Sequence, residues 1–340
     1  MLIGAFTIIA AVMMALVQHD MKRLMGYHAV SQVGYMVLGI GTGNPIGIAG
    51  GLFHMLNHAV YKSCLFFTAG NVEYRAKTTE LDELGGLSRY MPITYICCLI
   101  ASLSISGVPP FNGFVSKWMI YQGLIERLNA GGSIRLVAVL CLAAAMFGSA
   151  LTLASFMKLM HAVYFGQRTP RITEKRGEVS WQMWFPCIAL AAICVIFGVL
   201  ARQIPLKYFI FPVVGEVSFI GAWYAGLPIW LIIMSLVLGI LIFKAKSGLT
   251  TRRDAAFIGG EPLDLNAHPV TGVDFYNTIS DYGILKGIYK KAEKGAFDIY
   301  EQGKKIFTFS GFLRYLHNGI LPTYLVWMLL GMIALFWFLK

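Results

Sequence analysis

Charge is scarce in this sequence, and negative charge scarcest. Charged side chains make up 13% of 340 residues, about half the share in a soluble domain. That deficit excludes a water-soluble globule. Cysteine offers no chemistry either. The six thiols, Cys64, Cys97, Cys98, Cys141, Cys187 and Cys194, sit in apolar runs, with no C-x-x-C pair and no cluster-binding series. They read as small buried hydrophobes, so the chain is expected to carry no redox centre, no cofactor and no metal of its own. G-x-G-x-x-G, P-loop and zincin motifs are missing as well.

What is present is apolar. Hydrophobic residues make up 57% and the mean hydropathy is +0.66, the signature of an all-α polytopic membrane bundle. The formal net charge of +11 lies in loops between apolar runs. It fits the positive-inside bias of cytoplasmic loops, not a nucleic-acid surface.

About eight spans are expected. The first, residues 2–17, lacks the basic start and small-residue cleavage site of a signal peptide. The second, about 24–41, contains His28, Ser31 and Gln32. A Gly-Asn-Pro turn leads into the third, 46–70. The fourth begins near Ile93, breaks at Gly107-Val108-Pro109-Pro110-Phe111-Asn112-Gly113 and resumes over 114–128. Two prolines and two glycines cannot continue a helix unchanged. Each half is too short to cross alone, so the pair reads as one discontinuous span rather than two short helices in a loop. The fifth span, 136–165, carries Lys158; the sixth is 181–201, the seventh 227–243 and the eighth 320–339. Residues 204–225, interrupted by Lys207, Pro212 and Glu216, are expected at the membrane interface.

The longest polar region, 244–319, hides a stripe of Tyr276, Ile279, Tyr282, Leu285, Ile288, Tyr289, Ala292, Ala296, Ile299 and Tyr300 at three- and four-residue steps, with lysines mostly off it. An amphipathic helix is expected there, lying along the membrane surface or a neighbour, or else capping the bundle in solvent. Lys22, Arg23, Arg75, Lys77 and Arg89 fall in the odd-numbered loops, which are therefore cytoplasmic. Met1 then starts outside with nothing ahead of it, an arrangement that points to other spans or another chain before this one.

The third span carries His54, His58 and Lys62 at a spacing of four. Four residues advance a helix by little more than a turn, so the three stack on one face. Titratable groups inside a span are costly and usually functional. Histidine relays protons by exchanging tautomers, and a lysine two turns on adds a switchable charge. The competing reading is of histidines bonded to backbone or to a neighbour such as Asn57 or Ser31. A two-His metal site lacks a third ligand nearby in sequence. Lys117 follows the helix break and leans back toward it. The prolines free carbonyls near Ile105 and Ser106 that suit an ammonium or its waters; the alternative is a lysine that snorkels to the surface. Broken helices at membrane depth commonly hold ions or substrates.

The runs QHDMKRLMGYHAVSQVGYM, HMLNHAVYKSCLFFTAG, LGGLSRYMP and SISGVPPFNGFVSKW together resemble a known family. It comprises the antiporter-like subunits of respiratory complex I (NADH-quinone oxidoreductase), of multi-subunit Na+/H+ antiporters and of membrane-bound energy-converting hydrogenases. The resemblance covers residues 1–166 and implies the second of the family's two inverted five-helix repeats. It implies that His54, His58, Lys62 and Lys117 form a proton relay. Lys22 is then the lysine of the Asp-Leu-Lys-Arg-like turn, and Lys158 stands where relatives place a basic residue; His28 is a further supporting group. Gly107, Pro109, Pro110 and Gly113 form the helix break. Residues 167–243 are two added spans, 244–319 a cytoplasmic-side region with a lateral helix, and 320–340 a final anchor. The first repeat, with its glutamate and lysine, has no counterpart here.

The resemblance thus implies an ion-pumping subunit in a prokaryotic cell membrane. Its expected partners are other membrane subunits, one of them supplying the first repeat, and hydrogenase- or dehydrogenase-like redox subunits with Fe–S clusters. The translocated ion is the proton, with Na+ as an alternative. The competing functions are a Na+/H+ antiporter module without redox coupling and a structural membrane brace.

Overall fold

In the computed structural model the described residues are 1–129, 131–132, 134–165, 177–219, 226–245, 273, 279, 281–294, 296 and 321–339. Among them the structure is helical, with no strand beyond an isolated bridge between Asp20 and Glu80. The chain divides into two compact units, Met1–Asn277 and Thr278–Lys340.

Local sequence explains where the helices of the first unit begin and end. Helix α1 spans Leu2–Leu16 and α2 spans Met21–Gly41. The Asp20 carboxylate caps α2 by accepting the Arg23 N–H at 2.7 Å, satisfying a donor that helix geometry leaves free. Helix α3, Pro45–Ala76, starts with proline in its first turn behind an Asn44 cap that accepts from Gly47 N at 3.0 Å. It runs to Ala76, further than the expected 46–70. Helix α4, Pro92–Ser106, stops at Gly107, whose φ of 83° favours a residue without Cβ. Helix α5 is Asn112–Asn129, so the expected break becomes a five-residue link over 107–111. Helix α6, Ile134–Met160, runs into a π-helical turn at His161–Phe165. Helix α7 is Trp181–Val199; a π-helical turn at Arg202–Ile210, the short α8 at Phe211–Val214 and α9 at Gly226–Ala245 follow.

Packing of the first unit is tight where glycine allows it. A Cβ on Gly4 would lie 2.6 Å from the Gly34 carbonyl, so α1 and α2 touch backbone to backbone. One core joins Leu24, Tyr61, Leu65, Cys98, Phe156 and Cys187 among α2, α3, α4, α6 and α7. A second joins Ile8, Tyr35, Leu38, Ile120 and Ala145 among α1, α2, α5 and α6. Pro205, Leu206 and Ile210 are buried, the last two against Phe53, Val115 and Met119, while Tyr208 and Phe209 are exposed. The segment expected at the interface thus presents one face to the bundle. All six cysteines are free and buried.

Large apolar side chains such as Phe6, Leu136, Phe147, Trp181 and Trp230 face outward, as suits a lipid-facing surface and not a water-facing one. Among the described residues two helical stretches, Ile134–Phe165 and Trp181–Val199, are long and apolar enough to cross a membrane by length and hydropathy alone. Helices α2 and α3 are longer than the second of these, but their polar and titratable residues lower their hydropathy.

The second unit contains helices at Gly283–Glu293 and Leu321–Phe338. The first covers only part of the expected amphipathic stripe: Tyr276, Ile299 and Tyr300 lie outside the described residues. So does the basic stretch 166–176.

Candidate functional site

Lys117 sits in the second turn of α5 and is 2% exposed. Its ammonium donates to the carbonyls of Ile105 at 2.9 Å and Ser106 at 3.4 Å. These are the last carbonyls of α4, which no longer have helical partners because the chain turns at Gly107. The ammonium also stands 4.6 Å from the centre of the Tyr35 ring, a cation–π contact. Tyr35 is fixed in turn: its hydroxyl donates to the Ala145 carbonyl at 2.6 Å and lies 2.9 Å from Ser149 Oγ.

A reciprocal amide pair clamps the break beside Lys117. Asn57 Nδ2 donates to the Asn112 carbonyl and Asn112 Nδ2 to Asn57 Oδ1, both at 3.0 Å. Ser104 donates to Asn112 Oδ1. The Gly113 backbone presses on α4 so closely that a Cβ would fall 1.9 Å from the Ser104 carbonyl.

His54 is fully buried and bonded at both ring nitrogens. Nδ1 lies 2.9 Å from Ser116 Oγ, and Nε2 lies 3.1 Å from Gln32 Oε1 and 3.3 Å from the Tyr61 hydroxyl. Neither Asn57 nor Ser31 binds a histidine: Asn57 pairs with Asn112, and Ser31 donates to the Ile8 carbonyl. Because Ser116 directly precedes Lys117, the histidine and the lysine are linked across α3 and α5.

The rest of the ladder is less uniform than its spacing. Lys62 is 5% exposed, donates to the Met25 carbonyl on α2 and lies 5.4 Å from the Phe66 ring centre. His58 is only partly buried; its ring meets Tyr61 edge-on at 5.6 Å, and its Nε2 has no hydrogen-bond partner. Of the supporting residues, His28 is fully buried with Nε2 2.8 Å from Ser155 Oγ. Lys158 donates to the carbonyls of Leu16 at 2.8 Å and Gln18 at 3.0 Å. Lys22 lies at the bundle's end, paired with Glu73 at 2.5 Å in a half-exposed ion pair. Among the described residues no carboxylate is buried with these groups, and none of the His/Cys/Asp/Glu clusters could hold a metal.

Sequence reasoning missed Gln32, Tyr35 and Tyr61 as partners of the site, and Ser116 and Ser155 with them. A signal existed for the first two: His28, Gln32 and Tyr35 recur at four- and three-residue steps on α2. The serines look ordinary in sequence, since only tertiary contact brings them to the histidines.

A bundle of apolar helices with a buried lysine at a helix break and a doubly bonded buried histidine defines an integral membrane module built around polar groups. Residues 1–142 match the family described as NADH:quinone oxidoreductase/Mrp antiporter, transmembrane. It is similar to the uncharacterized protein MJ1309 of Methanocaldococcus jannaschii, 36% identical over 201 residues, covering 58% of this chain and 39% of that protein. It is likewise similar to formate hydrogenlyase subunit 3 of Escherichia coli, 32% identical over 213 residues, covering 59% of this chain and 35% of that one. The fold resembles a chain of the archaeal membrane-bound sulfane sulfur reductase, a respiratory membrane complex, with 28% identity and a TM-score of 0.75 over 98% of this chain and 54% of that chain. The chain spans less than two fifths of the length of these two curated relatives.

Proposed function

We propose that the chain is a proton-translocating, antiporter-like subunit of a complex I-like or membrane-bound hydrogenase respiratory complex. Protons pass through Lys62, His58, His54 and Lys117, with Lys22, His28 and Lys158 in support. The observation that carries this reading is the seat of Lys117. Its ammonium donates to backbone carbonyls at a helix break, one residue from the serine that binds His54. Losing the proton there leaves a neutral amine and strands no buried carboxylate, so the site favours exchange over a permanent ion pair. His54 meets different partners at its two nitrogens, the arrangement by which an imidazole accepts a proton on one side and releases it on the other.

On the same reading α4 and α5 form one discontinuous span in a bundle of about eight. Residues 1–166 make up the proton-handling repeat, 167–243 add two spans, and 244–319 carry a cytoplasmic lateral helix before the anchor at 320–340. The partners are other membrane subunits of a prokaryotic cell membrane, including one with the companion repeat, and redox subunits carrying Fe–S clusters. The test is Lys117→Ala in the assembled complex. Proton uptake by membrane vesicles is expected to vanish while dye-linked redox turnover continues; undiminished uptake contradicts the proposal.

A second reading, Na+/H+ exchange without redox coupling, is favoured by the inclusion of Mrp antiporters in the matched family. Complementation of a sodium-sensitive strain by this chain with its membrane partners alone supports that reading.

A further inference from the structure

We infer that Tyr35 on α2 is a positioning residue of the relay, whose ring seats the cation of the His54 and Lys117 pair. The inference rests on the relay reading above and names what holds the positive charge at that point.

Both titratable groups meet this one ring. Lys117 Nζ stands 4.6 Å from its centroid, and the His54 imidazole centroid lies 5.6 Å away with the two planes tilted by 48°. The electron-rich face of an aromatic ring attracts a cation placed over it. Tyr35 follows Gln32 by three residues, so α2 reaches His54 twice from one face, through the amide and through the ring. Tyr35 is fully buried, and among the described residues no carboxylate is buried with the pair.

The hydroxyl end of the ring is pinned. It donates to the Ala145 carbonyl at 2.6 Å and lies 2.9 Å from Ser149 Oγ. Tyr121, one turn beyond Lys117 on α5, brings its own hydroxyl to 2.7 Å from the same Ser149 oxygen and donates to the same carbonyl at 3.4 Å. Gly148 makes room for this cluster: a Cβ there would fall 2.2 Å from Ile8 Cγ2 and 3.1 Å from the Tyr35 hydroxyl oxygen. Helix α6 thus fixes the ring, while α3 and α5 bring the titratable groups to it.

A ring suits this post better than a carboxylate. Its attraction acts on the ammonium and lapses when lysine becomes a neutral amine, and it strands no buried anion. The Ile105 and Ser106 carbonyls hold Lys117 from the side of the helix break. Tyr35 adds a third contact, carried by a different helix and shared with His54.

The test uses the whole complex in vesicles and scores proton uptake against dye-linked redox turnover. Tyr35→Phe keeps the ring and gives up only the hydroxyl bonds, so most of the uptake is expected to remain. Tyr35→Leu keeps apolar bulk without an aromatic face, and uptake is expected to fall about tenfold at unchanged turnover. Pentafluorophenylalanine in place of Tyr35 matches phenylalanine closely in shape but withdraws the negative charge from the ring face; it is expected to pump like Tyr35→Leu. A purely packing role would not follow the fluorines. If Tyr35→Phe does not assemble, the reading comes from a difluorotyrosine with both fluorines on the Cβ side of the ring. That residue keeps the hydroxyl bonds, and its uptake is expected to fall below wild type. The inference is overturned by equal uptake with phenylalanine and its pentafluoro form, by wild-type uptake in Tyr35→Leu or with the difluorotyrosine, or by a Tyr35→Phe loss as deep as that of Tyr35→Leu. Lys117→Ala separates the two levels. If it is inactive while Tyr35→Leu pumps normally, only the role of Tyr35 fails; if Lys117→Ala itself pumps, the relay reading fails too.

Discussion

The Lys117 ammonium lies 2.9 Å from the carbonyl of Ile105, twelve residues earlier and on the far side of the helix break. The break and the lysine are therefore one device. Ending α4 at Gly107 frees the carbonyls, and restarting the chain at Asn112 sets Lys117 one turn and a half beyond, where its side chain leans back to reach them.

The amide clamp should hold that device in place. Asn112→Ala strips partners from Asn57 and from Ser104, each loss worth about 1–3 kcal/mol in a buried site. A lower melting temperature of the complex is expected, together with reduced proton uptake. Unchanged values of both speak against the clamp.

Close backbone approach at Gly113 gives a steric test. Gly113→Ala puts a methyl group into the Ser104 carbonyl, so α4 and α5 must separate. Uptake is expected to drop sharply. Gly70→Ala, where a Cβ meets nothing within 4 Å, serves as the control and should behave as wild type.

The start of α4 depends on a carboxylate distant in sequence. Glu178 Oε2 accepts from the backbone N–H of Ile93 at 2.9 Å and of Thr94 at 3.1 Å, and Oε1 from the Thr94 hydroxyl at 2.7 Å. Glu178→Ala is expected to lower stability by about 1 kcal/mol, the usual worth of a helix cap, with the relay intact. Thermal melting and uptake measured on the same preparation check both halves.

The half-exposed pair of Lys22 and Glu73 should matter little for stability. Screened surface pairs contribute roughly 0–1 kcal/mol, so Lys22→Ala is expected to shift the melting temperature barely, and less at high salt. A large uptake loss in that variant then reports on proton handling and not on folding.

The helices, the break and the titratable residues were legible in the sequence because they follow from local rules. Period 3.6 marks the face of His54 and Lys62, Gly107 and the two prolines stop α4, and Asn44 and Asp20 sit at cap positions. Partnerships were not legible. His54 is held by Gln32 from α2 and Ser116 from α5, and only packing decides that Asn57 turns to Asn112 instead. Equal spacing also hid a difference within the ladder: Lys62 and His54 point into the bundle, while His58, midway between them, lies partly outside it. The polar content of α2 and α3 obscured their lengths from hydropathy for the same reason that makes them interesting.

The most direct measurement is the number of protons moved per electron pair by the assembled complex carrying Lys117→Met, which keeps the bulk of the side chain and removes its proton. A fall in that ratio, with dye-linked turnover preserved, is the predicted result. A ratio equal to wild type would contradict the claim that protons cross through Lys117.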